Sequence, residues 1–417
     1  MKKIRRVKRS TIIIFSIASC VLLLTKCMNT DNGKKRDNTG SEEIEVYQQF
    51  AGAATCGNCH NDIYEKHLHS AHYLTSQLAT KRFIKGSFGS DRNKFVFDSL
   101  DVMVMEQKGN SFYQSEYYKG NKKTTEKFDI VIGSGNKGQG YLYWKDDRLF
   151  QLPISYFTAA GRWANSPGFT NSPNFNRQID ARCLECHSTY FNTISFSLGG
   201  IEQYDRKEIV YGISCEKCHG PGLRHVEYHT ENPGKNIGKY IINPASFSRI
   251  QKLELCALCH GGSLRKTKPS FSFMLGDSLY NFFAENKTAP KPDDIDVHGN
   301  QYGLLRASKC FRMSESLTCV TCHNIHKNER GQVAVFSQRC ISCHNNERGR
   351  KCKLTESLGN IISTNCIDCH MPVKSSQIID VKLAGSHANT AAVVRSHFIS
   401  IYPGETKKVV AAMKKMK

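Results

Sequence analysis

The chain has 417 residues, of which 39% are hydrophobic, and its mean hydropathy is −0.45. This length suits one large domain or two to three smaller ones, and the composition excludes a protein that lies mostly within a membrane. The formal net charge of +21 would by itself suit a nucleic-acid partner, so the position of that charge along the chain has to be considered first.

The first 26 residues have the features of an export signal. Residues 1–10 carry six Lys or Arg and no acid, residues 11–25 are almost wholly apolar, and a polar stretch follows at 29–39. An apolar run of this length is shorter than the roughly 20 residues of a membrane-spanning helix. Cys20 ends a lipobox-like run and Cys27 lies where a polar tether begins. Three alternatives remain open: a lipid on Cys20, a lipid on Cys27, or an uncleaved anchor. In each of them the chain is exported and held at a membrane.

The sequence Cys-x-x-Cys-His occurs seven times, and the copies are called motifs one to seven in chain order. Two thiols at this spacing can each form a thioether with one vinyl group of the same porphyrin, and the His then lies beneath the iron. Zinc sites and redox dithiols do not require that His, which all seven copies have. The sequence therefore predicts seven covalently attached haem c groups. The attachment cysteines are Cys56, Cys59, Cys183, Cys186, Cys215, Cys218, Cys256, Cys259, Cys319, Cys322, Cys340, Cys343, Cys366 and Cys369, and the proximal histidines are His60, His187, His219, His260, His323, His344 and His370.

Between motifs one and two the sequence changes character. A helix is predicted over residues 62–73, and short aromatic or β-branched runs such as Phe95-Val-Phe follow, separated by Gly, Asn and Asp. Such runs are typical of an antiparallel β-meander of about five or six strands. From Arg182 onward the closely spaced motifs leave little room for an ordinary hydrophobic core, so buried porphyrins are expected to supply it. The expected fold class is a mainly α and irregular multihaem cytochrome with a haem-stacked core, plus this small β-meander insertion.

The predicted organisation has six segments. They are a signal, lipoprotein or anchor segment at 1–27, a flexible tether at 28–48, the haem 1 segment at 49–90, the β-rich insertion at 91–160, the domain of haems 2 to 7 at 161–400, and a basic tail at 401–417. Residues 270–292 contain no motif and are predicted to form a loop or lid. Outside the signal, Cys310 and Cys352 are left over, and a disulfide between them or two separate thiols both remain open.

Nine further histidines are available as sixth ligands of the irons. Two strong ligands on every iron suit an electron carrier, whereas an enzyme needs at least one iron with an open face. His326 follows His323 too closely to return to the same haem, which indicates that it binds a neighbouring one. The stronger candidates for distal ligands are His72, His225, His298, His326 and His397, and the weaker ones are His67, His69, His229 and His387.

The positive charge has an explanation that involves no nucleic acid. Loss of residues 1–26 would leave a charge of +14, and the propionates of seven haems would lower it to about +7. Much of the excess base can pair with those propionates. Because the chain also carries an export signal and no nucleic-acid-binding motif, a nucleic-acid partner is not expected.

Several runs beyond the haem motif resemble bacterial multihaem cytochromes related to the tetrahaem cytochromes of nitrifiers and to hydroxylamine-oxidoreductase-like proteins. They include Ile132-Gly-Ser-Gly, Gly161-Arg-Trp and the run from Gly212-Ile-Ser through motif three to His225. The resemblance covers most of residues 50–400. It implies closely stacked pairs of haems and bis-histidine ligation at most irons, with His72, His225, His326 and His397 as distal ligands. Catalytic members of that superfamily use a lysine-ligated haem or a tyrosine cross-link, and no Cys-x-x-Cys-Lys motif occurs here.

Two functions are compatible with these observations. The favoured one is a periplasmic or otherwise extracytoplasmic heptahaem cytochrome that carries electrons between other redox proteins, such as donor or acceptor cytochromes and reductases, in a respiratory pathway. The alternative is a multihaem oxidoreductase that acts on a small nitrogen or sulfur compound at one five-coordinate haem. No catalytic residue is predicted, since no constellation other than haem ligands is visible.

Overall fold

The computed structural model describes residues 46–169, 172–195, 202–284, 291, 299–345, 352–386 and 388–415. The predicted export signal with Cys20 and Cys27 lies outside these residues, as do His298 and His387. Val46–Lys417 forms one compact unit. Among the described residues, no helix has the length and apolar character needed to cross a membrane.

Ten strands lie in the fully described stretch 76–165, and they belong to two antiparallel sheets. The first sheet follows chain order and contains β2 (Lys94–Val96), β3 (Asp101–Lys108), β4 (Ser111–Tyr118) and β5 (Asn121–Lys127). The second contains β1 (Ser76–Leu78), β6 (Ile130–Ile132), β7 (Gly138–Lys145), β8 (Arg148–Gln151), β9 (Ile154–Phe157), β10 (Arg162–Asn165) and β11 (Arg177–Gln178). The predicted insertion is therefore antiparallel, but it has more strands than expected and divides into two sheets.

Local sequence explains the tight β4–β5 hairpin. Lys119 and Gly120 both have positive φ angles, of 50° and 78°, between the paired residues Tyr118 and Asn121. Two central residues with positive φ define the turn whose twist matches that of the flanking strands, and glycine adopts this conformation without steric cost.

The two sheets share an aromatic core. Trp163 is 2% exposed, its ring centroid lies 5.7 Å from that of Tyr141, and its Nε1 donates to the Ser87 carbonyl at 2.8 Å. Gly86 lies so close to the Trp163 ring that a Cβ atom there would approach a ring carbon to 2.1 Å. Met103 and Met105 alternate with outward-facing residues on β3, as expected for a strand with one buried face.

The prediction of a mainly α chain is not confirmed, because the structure combines helices with several antiparallel sheets. Two hairpins lie outside the insertion: β12 (Ser188–Ser195) pairs with β13 (Gln203–Tyr211), and β14 (Val373–Lys382) pairs with β15 (Asn389–Arg395). Both have register irregularities, and many of their side chains are only half-buried. The alternation of apolar and polar residues that marks a strand in a sequence is therefore weak here.

The helices are short, and each motif lies on or directly beside one of them. In chain order the helices are α1 (Ala53–Gly57), α2 (Asn61–Leu68), α3 (Ala181–His187), α4 (Cys215–His219), α5 (Leu223–Glu231), α6 (Arg249–His260), α7 (Gln301–Ala307), α8 (Lys309–Arg312), α9 (Cys319–Cys322), α10 (Val333–Ile341), α11 (Thr355–Leu358), α12 (Ile367–His370) and α13 (Pro403–Lys415). The last of these falls within the predicted basic tail, and its Met413 packs on Leu358 and Ile362.

Helix α2 is shorter than its predicted range of 62–73. It ends at Leu68, where the Ser70 amide donates to the His67 carbonyl and the Ser70 hydroxyl accepts from the Tyr73 amide. Serine side chains that bond to nearby backbone compete with helix continuation. His69 and His72 lie beyond the end of this helix and therefore do not share a helical face, although the helix predicted over 62–73 would have placed them three residues apart on one face.

Candidate haem-attachment sites

Each motif forms one helical turn, which places its ligating atoms on one side. The amide of the motif histidine donates to the carbonyl of the first cysteine, at 2.9 Å in His60 and His344, 3.0 Å in His323 and 3.1 Å in His370. Motifs two, three and four lie within helices α3, α4 and α6. Residues three and four positions apart on a helix share a face, so the two thiols and the imidazole can approach one porphyrin together.

Three proximal imidazoles each face a second imidazole at the same distance. The ring centroids of His72 and His260, of His219 and His326, and of His323 and His397 are all 6.2 Å apart. When two imidazoles bind one iron, the distance between their ring centroids is the sum of two metal–nitrogen bonds of roughly 2.0 Å and the radii of both rings. This sum is close to the observed centroid separation. These residues therefore fit a bis-histidine haem iron.

Backbone carbonyls orient several of the imidazoles through their Nδ1 atoms. When Nδ1–H donates to a carbonyl, Nε2 is the unprotonated nitrogen and can bind a metal. The Nδ1 contacts are His219 to Ile242 O at 2.8 Å, His370 to Ser400 O at 2.8 Å, His397 to Arg395 O at 3.2 Å and His225 to Lys239 O at 2.7 Å. This arrangement selects the tautomer that an iron needs.

Two of the weaker candidates use Nε2 for a protein contact instead. His67 is 7% exposed, and its Nε2 lies 2.9 Å from the Ile213 carbonyl. His229 Nε2 lies 3.0 Å from the Ile237 carbonyl, and its ring centroid is 4.6 Å from that of His225, too close for an iron to fit between them. Both side chains have contacts that suit a structural role.

Burial favours the neutral form of five of the six facing imidazoles. Desolvation lowers the pKa of His72 to about 4 and that of His397 to about 4, and it also lowers the pKa of His260, His323 and His326. A neutral imidazole is the form that binds a metal, whereas a protonated one cannot. These rings are therefore ready to bind iron at neutral pH.

The remaining predicted ligands are not brought together in the same way. Among the described residues, no second imidazole ring faces His60, His344 or His370 at this distance. His225 lies on α5 beside His229, and His69 is exposed at the end of α2. His187 Nδ1 lies 3.4 Å from the Thr75 carbonyl.

Attachment cysteines of different motifs lie close to one another. Their thiols shift each other's pKa between motifs one and three, two and four, and four and five. The pairs are Cys56 with Cys215, Cys186 with Cys259, and Cys256 with Cys319. Porphyrins attached at these atoms would be close neighbours, as the resemblance implies.

Polar side chains that the sequence did not single out also connect the motifs. Arg182, just before motif two, donates to the Leu258 carbonyl of motif four at 2.6 Å. Arg339, just before motif six, donates to the Cys322 carbonyl of motif five at 2.7 Å. The fully buried Ser337 hydroxyl accepts from the Cys366 amide of motif seven at 3.0 Å. In the sequence, Arg182 and Arg339 stand out only as charged residues next to a motif. Charge alone does not predict which carbonyl such a residue binds.

Cys310 and Cys352 are both free thiols, so the disulfide between them is not formed. Burial raises the pKa of the Cys322 and Cys340 thiols, and Cys310 adds to both shifts. Cys352 contributes in the same way to the raised pKa of Cys366 and Cys369, after burial. The two leftover cysteines therefore lie near different motifs.

Comparison with known proteins points to the same chemistry. Residues 162–220, which contain motifs two and three, match the family of cytochrome c554 and c-prime. The C-type polyheme cytochrome OmcC of Geobacter sulfurreducens is 25% identical over an alignment of 185 residues that covers 40% of this chain and 23% of OmcC. The match thus spans less than a quarter of that relative. The outer cell wall cytochrome OcwA has a similar fold, with a TM-score of 0.54 and 16% identity over 86% of this chain and 81% of OcwA. Together with the motifs, these similarities support a multihaem c-type cytochrome with covalently bound haem c.

Proposed function

We propose that the chain carries seven haem c groups and transfers electrons through them between redox proteins outside the cytoplasm. The observation that carries this proposal is the set of three imidazole pairs, each with ring centroids 6.2 Å apart. An iron held by two imidazoles has no vacant position for a substrate and changes its coordination little on reduction, which suits electron transfer. When bound, the haem supplies a one-electron couple of its iron.

The chain's own residues would hold and orient that group. The fourteen motif cysteines would form the thioethers, and the seven motif histidines would be the proximal ligands. His72, His326 and His397 are proposed as distal ligands opposite His260, His219 and His323. His225 and His298 are proposed for two of the remaining irons. Backbone carbonyls at Nδ1 hold the rings in the ligating tautomer.

Export and attachment to a membrane are part of the proposal. Haem c attachment to this many thiols suits an oxidising compartment outside the cytoplasm. A basic start, an apolar run and a cysteine at position 20 or 27 suit an export signal with a lipid or an anchor. The partners would be other redox proteins of the periplasm or cell envelope, such as donor and acceptor cytochromes or reductases.

A count of electrons tests the proposal. Reductive titration of the oxidised holoprotein, combined with its intact mass, should give seven electrons and seven haems per chain. A variant with both Cys56→Ala and Cys59→Ala lacks the thioethers of motif one and should lower the haem count and the electron count by one. A wild-type mass with fewer than seven haems would contradict the proposal, as would a mass with seven haems and an electron count well below seven.

A second candidate function is catalysis at an open iron. It is favoured by His60, His344 and His370, which face no second imidazole among the described residues. A small nitrogen or sulfur compound could bind the iron there. Addition of cyanide, nitrite or hydroxylamine to the oxidised protein tests this function. Conversion of a high-spin signal by any of them supports a substrate site, and seven unresponsive low-spin irons exclude one.

A further inference from the structure

A buried carboxylate connects motifs one and three. Glu216 lies within α4, inside motif three, and is 3% exposed. Its oxygens accept backbone N–H bonds from Ala51 at 2.8 Å, Gly52 at 3.0 Å and Gly222 at 2.8 Å. Ala51 and Gly52 directly precede α1, the helix that begins motif one. Glu216 therefore joins the beginning of motif one to motif three.

The charge of the same carboxylate acts on attachment cysteines of both motifs, Cys56 and Cys215. The Cys215 thiol and burial raise the pKa of Cys56, and the negative charge of Glu216 raises it further. Because a porphyrin bonds to the chain at these sulfur atoms, a charge that acts on them also acts on the attached groups.

Glu216 differs from the other buried acids that link motifs. Glu185 pairs with Arg182 at 2.7 Å, and Glu329 pairs with Arg339 at 2.6 Å, so each of those carboxylates has a counter-ion. In the described part of the chain, no Lys, Arg or His nitrogen lies within ion-pair distance of Glu216. The neighbouring Lys217 ammonium lies over the Phe271 ring, 5.0 Å from its centre. Motifs one and three therefore share a negative charge with no counter-ion of its own.

We propose that Glu216 is a positioning residue for the haem groups of motifs one and three, and that its charge lowers the reduction potentials of both. The inference rests on the proposed function, because it requires haem at these two motifs. A fixed anion stabilises the oxidised iron, which carries one more positive charge than the reduced iron. Low polarity around a buried group strengthens this effect.

The test is a spectroelectrochemical titration of the full-length holoprotein and of three variants. Glu216→Gln removes the charge at nearly constant size, and two of the seven midpoint potentials should rise while five stay unchanged. Glu216→Asp keeps the charge but shortens the side chain, so its potentials should stay nearer those of wild type. Glu227→Gln makes the same chemical change at an exposed position on α5, close to motif three, and should shift no potential.

Intact mass separates failure of this inference from failure of the proposed function. A wild-type protein without haem at motifs one and three would contradict the proposed function. Unchanged potentials in a fully loaded Glu216→Gln protein would overturn the inference alone, and so would an equal shift in Glu227→Gln. If Glu216→Gln loads incompletely, peptide mapping decides: loss confined to motifs one and three supports the positioning role, and loss at other motifs contradicts it.

Discussion

The sheets of residues 76–165 and the haem motifs are held together by different forces. Among the described residues, the largest apolar cluster has thirteen buried members and lies in and around the sheets, with Trp163, Tyr141 and Phe128 among them. The clusters near motifs four and seven have four and three buried members. Polar links such as those of Glu216 and Arg339 join several of the motifs to one another. We therefore expect the sheets to be stable without haem and most of the motif region to depend on it.

Removal of haem should produce the largest difference in stability between the sheets and the motif region. In a full-length chain produced without haem attachment, most of the motif region should lose its helices, because its apolar clusters near motifs four and seven are small. Limited proteolysis followed by mass spectrometry should leave a resistant fragment that contains residues 76–165. The holoprotein under the same conditions is the control. Equal protection of the motif region in both preparations would contradict the comparison.

Truncation of the sheet core should have the converse effect. Trp163→Ala should lower the free energy of unfolding by about 3–5 kcal/mol, since it leaves a large cavity. The haem spectrum of the folded variant should be unchanged. Trp144→Ala, at the other tryptophan of the chain, which is half-buried, is the matched control and should cost less. Denaturant unfolding measures the free energy of unfolding of both variants. Equal losses would show that the deeper burial of Trp163 does not determine the cost of its removal.

A distal ligand should affect a single iron. His72→Ala should make one haem in seven high-spin and raise its reduction potential, because His260 would lose the imidazole that faces it. His69→Ala, at the exposed histidine nearby, should change neither property. Absorbance in the high-spin region and a redox titration measure the change. A low-spin spectrum in His72→Ala would exclude His72 as a ligand.

A smaller effect is expected at the link between motifs five and six. The Arg339 guanidinium beside Glu329 lowers the pKa of that carboxyl from 4.5 to about 2. Because the folded-state pKa is lowered, the stabilisation is present above the unfolded value of 4.5 and is lost as the pH falls through 2. Glu329→Gln should therefore cost about 1–2 kcal/mol near neutral pH and less in acid.

Unfolding measured at about pH 7 and about pH 3 tests that dependence. Glu405→Gln is the control, because its ion pair with Lys408 is exposed and should contribute little at either pH. A cost of Glu329→Gln that stays constant, or grows, as the pH falls would contradict the assignment.

The sequence indicated the covalent chemistry better than the tertiary arrangement. A thioether site needs its two cysteines and histidine close together in the chain, so motifs one to seven were visible directly. His72, His326 and His397 were predicted as distal ligands, but their partners depend on long-range packing that no local pattern encodes. The early end of α2 at Leu68 depends on the bonds of Ser70, and the buried link of Glu216 depends on Ala51 and Gly52. Such contacts form only when distant segments meet.

Electron paramagnetic resonance of the oxidised holoprotein tests the central claim, the pairing of imidazoles across iron, most directly. The ring planes of His219 and His326 differ by 17°, and those of His323 and His397 by 26°, whereas those of His72 and His260 differ by 64°. Nearly parallel rings give rhombic low-spin signals, and steeply inclined rings give a strongly anisotropic one. The account predicts both classes, and loss of the strongly anisotropic signal in His72→Ala. A spectrum in which high-spin iron accounts for more than four of the seven haems would contradict it.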